Sequence, residues 1–337
     1  MKIDKKELKN ALEKVKPGLA NKEVIEQSTS FAFMGDRVVT YNDEISVSHP
    51  VKNLDVVGAV RAQELYQFLD KVKQDTIDLQ WEDNQVRITA GRSKAGLIMK
   101  KEVVLPIEEI GDVGKWKKCP EGLLKAMLFC QTSCSRDMSK PILTCVHVRK
   151  DGLIEASDSY RVIRFDLKEK MPVNSFLIPV SSVNKLDGYD VTHIAEGEGW
   201  VHFKTKDDTI MSCRVFEENY PDVEFILNFE GVPSRLPATM KEALERASVF
   251  VKSDFNFDSL ITLEINDGHV TVTAEAESGW FEEKLRIKYE GHPVTFKINP
   301  QFLIDMLVHE VHHCSFGKDR VKFKGEQWEH VVALLQE

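Results

Sequence analysis

Five consecutive residues carry the sharpest chemical signal in this chain. His309-Glu310-Val311-His312-His313 fits the pattern H-E-x-x-H. On one continuous helix, histidines at i and i+4 share a face and hold zinc, while the glutamate activates water. Glu329, downstream, is available as a third ligand, which makes a zinc metallopeptidase one reading of the chain. The motif requires the helix to continue. Alignment with the earlier segment Ile77–Trp81 instead places residues 312–316 on a strand, with His312, Cys314 and Phe316 on one face and His313 on the other. The helix is then expected to end near His309 or Glu310, which separates His309 from His313 and removes the site.

Other catalytic signals are sparse. The chain contains no G-x-x-x-x-G-K-[ST], no G-x-G-x-x-G ahead of a helix and no G-x-S-x-G. Cys130 and Cys134 stand at i and i+4 without a second pair, so they read as helix-face residues. Glu108-Glu109 and Glu217-Glu218 read as solvated loops. No cofactor is implied, and no enzymatic activity is expected.

The elements that would position any site are arranged in a threefold repeat. The 337 residues (38.5 kDa) are 42% hydrophobic and 29% charged, in the range of a folded globular chain of two or three domains. Each third opens with an amphipathic helix: Lys5–Lys16, Glu121–Cys134 and Lys241–Lys252. Each then runs through alternating strands with a turn at a matching place: Gly35-Asp36, Lys150-Asp151-Gly152 and Asn266-Asp267-Gly268. A fourth strand, a second helix (shortest in the middle copy) and three further strands complete each unit. The expected fold class is α+β, with two helices packed on antiparallel sheet in each of three units. These span residues 1–110, 120–228 and 239–337, with surface linkers at 111–119 and 229–238.

Three stretches carry a resemblance. Ala156-Ser157-Asp158-Ser159-Tyr160-Arg161 follows a strand of the second unit, Asn219-Tyr220-Pro221-Asp222-Val223 ends that unit, and Phe296-Lys297-Ile298-Asn299-Pro300-Gln301-Phe302-Leu303 lies in the third. In order, spacing and repeat context the chain resembles the bacterial type of DNA sliding clamp, the β subunit of the replicative polymerase, over essentially its full length. That family has Ala-Thr-Asp-Gly-His-Arg at the first stretch, so Ser159 replaces a glycine and Tyr160 a histidine. The resemblance implies a ring-forming clamp fold in which two three-unit chains close head to tail as a homodimer around duplex DNA. Eukaryotic and archaeal clamps reach six units with three two-unit chains.

The implied partners are duplex DNA, a DNA polymerase, a clamp loader and other proteins that carry a clamp-binding motif. A net charge of −9 argues against a surface that coats nucleic acid throughout but leaves room for a basic lining. Helix Lys5–Lys16 has five lysines against two glutamates, whereas residues 299–310 carry Asp305 and Glu310 and no lysine or arginine. The implied DNA-binding residues are Lys5, Lys9, Lys22, Arg136, Lys140, Lys241 and Arg246. Ser181 and Ser182 stand where the family has a basic residue. The implied pocket for a short peptide with Gln, Leu and Phe anchors consists of Leu143, Ser157, Tyr160, Val162, Pro221, Ile226, Val331 and Ala333, with Ser157 and Tyr160 available to hold the Gln or the peptide backbone. Taken one at a time, Leu143, Val162 and Ile226 read first as plain core.

The C-terminal Val331–Glu337 lacks the family's usual Met-Pro-Met-Arg ending. That difference and the altered pocket fit a divergent phage or mobile-element clamp with its own peptide preference. The implied ring interface is Arg92, Lys94 and Leu97 against Val249 and Phe250, and Phe250 fits an internal core position as well. No run of 18 apolar residues is present, the N-terminal MKIDKKELKNALEKVK has no apolar core, and six cysteines form no disulfide framework, so a cytoplasmic, nucleoid-associated protein with no membrane partner is expected. A clamp-fold interaction protein that does not encircle DNA is the remaining alternative.

Overall fold

Asp4 starts the first helix. Its carboxylate accepts hydrogen bonds from the backbone N–H groups of Lys6 (2.7 Å) and Glu7 (3.1 Å), so the helix runs Lys5–Val15 and buries Leu8, Ala11, Leu12 and Val15. The second expected helix is shorter than its sequence pattern. Gly122 sits at φ +81°, outside the right-handed region, so the helix covers Leu123–Cys130 and gives way to a 3-10 turn at Gln131–Ser133. The third covers Met240–Val251. The computed structural model describes residues 1–111, 113–251 and 259–336; Lys252, the expected last residue of that helix, lies outside them.

All three hairpin turns form where the sequence places them. Met34 pairs with Arg37 across Gly35-Asp36, and Asn266 pairs with His269 across Asp267-Gly268, both of which have positive φ. Gly152 has no substitute: a Cβ there would stand 1.9 Å from the Glu169 carbonyl oxygen. One feature escapes the sequence pattern. A short strand precedes the first helix of each repeat, at Lys2–Asp4, Lys117–Lys118 and Val232–Arg235. The last two fall in segments read as surface linkers. Lys117–Lys118 pairs with Val191–Gly197, Val232–Arg235 pairs with His313–Phe316, and Cys119 and Leu236 are buried. These segments are therefore docked, because their backbone groups complete sheet edges.

The described residues divide into two compact units, Met1–Leu124 with Met171–Glu217, and Lys125–Lys170 with Glu218–Glu337. In the first, a twelve-stranded sheet continues across two repeats because Ile45–Pro50 pairs antiparallel with Ile210–Arg214. In the second, Arg161–Asp166 pairs with Trp328–Ala333, which binds the middle repeat to the last strand of the third. A separate four-stranded sheet runs in the order Gly279–Arg286, His269–Ala276, Ile261–Asn266, Val294–Ile298. Contacts thus follow the continuous strand pairing and divide the middle repeat.

Candidate functional site

The pocket implied by the resemblance forms around two neighbouring strands of the second unit. Val162 lies opposite Val331, and Ser157 lies opposite Val162. Val162 and Val331 are buried with Val223 and Leu227, and half-buried Tyr220, Ile226 and Phe229 pack against them. The Ala333 N–H donates to the Tyr160 carbonyl at 2.7 Å, which brings these two residues alongside. Leu143 is half-buried in the 3-10 turn Pro141–Thr144, and Pro221 is exposed; neither joins the buried cluster.

The apolar wall is held by a short helix, Glu224–Leu227, in a stretch without legible periodicity. Asp222 accepts from the Glu224 N–H at 2.9 Å, and Arg164 pairs with the Glu224 carboxylate at 2.7 Å. Lys322 donates to the Leu227 carbonyl at 2.7 Å, and the Arg320 guanidinium lies 5.7 Å from the Phe229 ring centre. Phe225 on the same helix is 71% exposed. Sequence reasoning names only Ile226 here and misses Tyr220, Val223, Leu227 and Phe229. The i, i+4 pair Val223 and Leu227 is the signal that was available.

The Ser157–Arg161 turn forms the polar rim. The Ser157 hydroxyl donates to the Arg161 carbonyl at 2.8 Å and accepts from the Ser159 N–H at 3.3 Å, so its proton is committed to the turn. Ser159 itself has φ +79°, a left-handed conformation that explains why glycine suits this position in the resembled family. Ser159→Gly is expected to raise stability by about 0.5–1 kcal/mol, read as a shift of the urea midpoint. An unchanged or lower midpoint would show that the serine carries no strain there.

Beneath the rim lies a buried ionic core. Arg161 pairs with Asp158 at 2.9 Å and Asp305 at 2.6 Å, donates to the Thr132 carbonyl and lies 4.3 Å from the Phe302 ring centre. Burial raises the Asp158 carboxyl above its ordinary value against the opposing charge of Arg161. Glu155, also buried, receives Arg164 Nε at 2.8 Å and Arg149 at 3.3 Å and faces His147 Nδ1 at 3.2 Å. Although burial opposes ionisation, His147 and the arginines hold Glu155 below its usual value.

The basic residues separate by location. On the helices and their ends they are already engaged: Lys5 donates to the Val72 carbonyl at 2.6 Å, Lys9 pairs with Asp70 at 2.6 Å, Lys241 with Glu245 at 3.8 Å, and Arg246 with Glu283 at 2.8 Å. On the loops, Lys22 and Arg136 are exposed with no ion pair among the described residues, and Lys140 approaches only the Ser159 hydroxyl at 3.5 Å. Ser182 is fully buried, and the exposed side of Ser181 donates to Glu44 at 2.8 Å.

Two sheet edges carry the residues assigned to a ring interface. Strand Ser93–Lys100 pairs from Ser93 to Ile98 with Gln85–Ala90, but its other side pairs only at Met99 and Lys100 with Val56–Arg61. Among the described residues, Arg92, Lys94 and Leu97 therefore border an open edge, where Ile98 is 82% exposed. Gly279–Arg286 is likewise the edge of its sheet. In that unit Val249 is 72% exposed, and half-buried Phe250 stacks on Phe281 with ring centres 6.1 Å apart.

The zinc reading fails on geometry. The helix Pro300–Leu307, capped by Asn299, stops before the motif, and Glu310 takes φ +58°. His309 packs against Phe129, His313 starts the strand His313–Phe316, and Glu329 is paired with Lys322 at 2.6 Å. Among the described residues, no three metal-ligating side chains converge.

No family model matches the chain. It is 24% identical over 338 residues to the β sliding clamp of Lactococcus lactis, covering 90% of this chain and 88% of that one. It is 28% identical over 191 residues to the β sliding clamp homolog GriR of Streptomyces muensis, covering 51% and 49%. The match therefore spans about half the length of that second relative. Among solved structures, DNA polymerase III β chain from Streptococcus pneumoniae superposes with a TM-score of 0.86 at 21% identity, covering 100% of this chain and 99% of that one. The sliding clamp of Bacillus subtilis gives 0.84 at 18% identity, covering 100% and 98%. No helix among the described residues is long and apolar enough to cross a membrane. The chain has the fold of the bacterial DNA sliding clamps, and its sequence is similar to theirs over most of its length.

Proposed function

We propose that the chain is a non-enzymatic DNA sliding clamp. In this reading two copies of three repeats, at 1–110, 120–228 and 239–337, close head to tail around duplex DNA in the cytoplasm. The ring tethers a DNA polymerase, is opened by a clamp loader, and raises processivity through effective concentration. The observation that carries the reading is the full-length match to clamp structures at a TM-score of 0.86, with the helix-strand order repeated three times. Two open sheet edges, at 93–98 and at Gly279–Arg286, support the reading, because head-to-tail closure needs one unpaired edge from each partner.

Light scattering after size exclusion is expected to give twice the 38.5 kDa chain mass. The ring is expected to stay on nicked circular DNA and to be lost when the circle is cut. A protein that is equally retained on linear DNA, or on neither, would count for an interaction protein that does not encircle the duplex. Val249→Asp with Phe250→Asp buries charge at the proposed contact and is expected to give monomers by the same scattering measurement. A double variant that remains dimeric would move the interface elsewhere.

The cluster around Ile226 is the proposed peptide site, where apolar side chains desolvate a partner's Leu and Phe anchors. Ile226→Glu is expected to weaken binding of a short Gln-Leu-Phe peptide by about 30-fold or more, since a pocket anchor contributes on the order of 2 kcal/mol. Circular dichroism should remain unchanged, because Ile226 is only half-buried. Unaltered peptide affinity in this variant would place recognition at another surface.

A further inference from the structure

The cations assigned to DNA by the clamp reading divide into two groups that the sequence does not distinguish. On the helices Lys9, Lys241 and Arg246 are matched with carboxylates and Lys5 with a backbone carbonyl, whereas Lys22 and Arg136 on the loops have no ion pair among the described residues. Lys9 holds Asp70 at 2.6 Å from the neighbouring helix, with the Tyr66 ring centre 5.2 Å away. Lys14, on the same helix as Lys9, is paired with Asp207. Asp207 is not a loose surface acid, since the Thr209 hydroxyl also donates to it at 2.9 Å and Thr205 donates as well. Lys16 lies 3.2 Å over the centre of the Tyr66 ring, whose hydroxyl in turn donates to Glu13. In the second unit Glu283 takes both Nε (3.0 Å) and Nη2 (2.8 Å) of Arg246. That occupies the guanidinium fork that would otherwise grip a phosphate.

Exposed pairs of this kind add little to folding, because water and salt screen them. Their effect on a polyanion is larger. A cation that binds DNA gains by releasing counterions from the phosphates, but a cation with a carboxylate beside it presents little net charge and must surrender its partner first. We propose that Asp70, Asp207 and Glu283 are built-in counter-charges that hold the helix cations off the phosphate backbone and leave the electrostatic grip on DNA to the loop cations Lys22 and Arg136. This assignment rests on the clamp reading. It describes a surface that surrounds a duplex with low friction and holds it at a few points. The same arrangement reconciles a lysine-rich first helix with a chain whose net charge is −9.

The test is fluorescence anisotropy of the full-length protein with a short labelled duplex across a salt series. The combined variant Asp70→Asn, Asp207→Asn, Glu283→Gln is expected to bind more tightly at low salt and to show a steeper salt dependence. Each freed cation that reaches a phosphate adds about 0.9 to the slope, or about threefold in affinity between 50 and 200 mM salt. Asp83→Asn is the matched control. It breaks a pair of the same length, Lys101–Asp83 at 2.6 Å, between the turn that joins Thr76–Trp81 to Gln85–Ala90 and the end of strand Ser93–Lys100, and is expected to leave the slope unchanged. Lys22→Ala with Arg136→Ala is expected to flatten the slope, and Lys9→Ala with Arg246→Ala to change it little. A carboxamide variant with the wild-type slope, or helix-cation losses equal to loop-cation losses, would overturn the assignment. So would a steepening by Asp83→Asn equal per charge to the others, which would reduce the effect to overall charge. Retention of the wild type on nicked circles, measured separately, decides the clamp reading itself.

Discussion

Arg161→Ala is expected to destabilise the second unit by about 3–5 kcal/mol, the loss typical of removing one partner from a buried charge network. Asp158 and Asp305 would lose their counter-charge, the Thr132 carbonyl its donor and the Phe302 ring its cation. Asp158 is already pushed upward by burial, and Arg161 is the only charged group that opposes that shift, helped by the Tyr160 N–H at 3.0 Å, so its carboxyl should be driven further toward the protonated form in the variant. The measurement is urea unfolding at neutral pH, with peptide binding as a second readout. The Ser157–Arg161 turn borders the proposed pocket, so peptide affinity should fall together with stability. A loss below about 1 kcal/mol would show that water reaches these groups and that the network is not buried in solution. Arg161→Lys should recover only part of the loss, because an ammonium cannot reproduce the planar fork that spans two carboxylates.

Stability is expected to fall steeply as pH drops from about 6.5 toward 4, before most carboxylates titrate. The cause is two buried imidazoles, one in each unit. His202 is fully buried on Trp200–Thr205, with Nδ1 2.8 Å from the Ser212 hydroxyl, and burial lowers it from 6.5 to about 4. His330 is fully buried on Trp328–Ala333 near Ser133. Burial, reinforced by the charge of Arg161, holds it well below its ordinary value. A histidine whose folded value lies below its unfolded value binds fewer protons in the fold. Its contribution is therefore complete above the unfolded value of 6.5, shrinks as pH falls, and is gone below the folded value of about 4. For His202 alone the loss at pH 5 is about 2 kcal/mol. Urea midpoints at pH 7.5 and 5 for the wild type and His202→Gln measure this directly. The variant should be less stable at pH 7.5 but lose less on acidification. An equal acid loss in both proteins would remove His202 as the origin.

The helices, longer strands and turns of the repeat were legible because they are encoded locally. Helix faces are written in spacings of three and four residues, turns in Asp-Gly pairs, and the cap of the first helix in Asp4. The break in the zinc motif was legible for the same reason: comparison with the first repeat placed a strand where the motif needed a further turn, although the helix stops at Leu307, short of the expected His309 or Glu310, and the strand starts at His313 rather than His312. The wall of the pocket was less legible. Val162 and Val331 were named, but Glu224–Leu227 was lost in a segment whose helix is only four residues long, too short for periodicity to show. The short strands Lys117–Lys118 and Val232–Arg235 were missed because two to four residues beside prolines and glycines carry no alternation of their own. They are strands only because a sheet edge lies next to them.

Local pattern in the amino-acid sequence was enough for the helices and longer strands of each repeat, the turns between strands, the apolar residues of each helix and the resemblance to the clamps. These depend on neighbours within a few residues, where backbone preference and side-chain period act directly. Only the tertiary structure decided which strands continue from one repeat into another, which lysines face a carboxylate, and which polar groups are sealed from water. Lys9 and Asp70 are 61 residues apart, Arg161 and Asp305 are 144 apart, and no local pattern couples either pair. Charge pairing and desolvation depend on distance in space and on what excludes water, and both are set by packing between elements far apart in the chain.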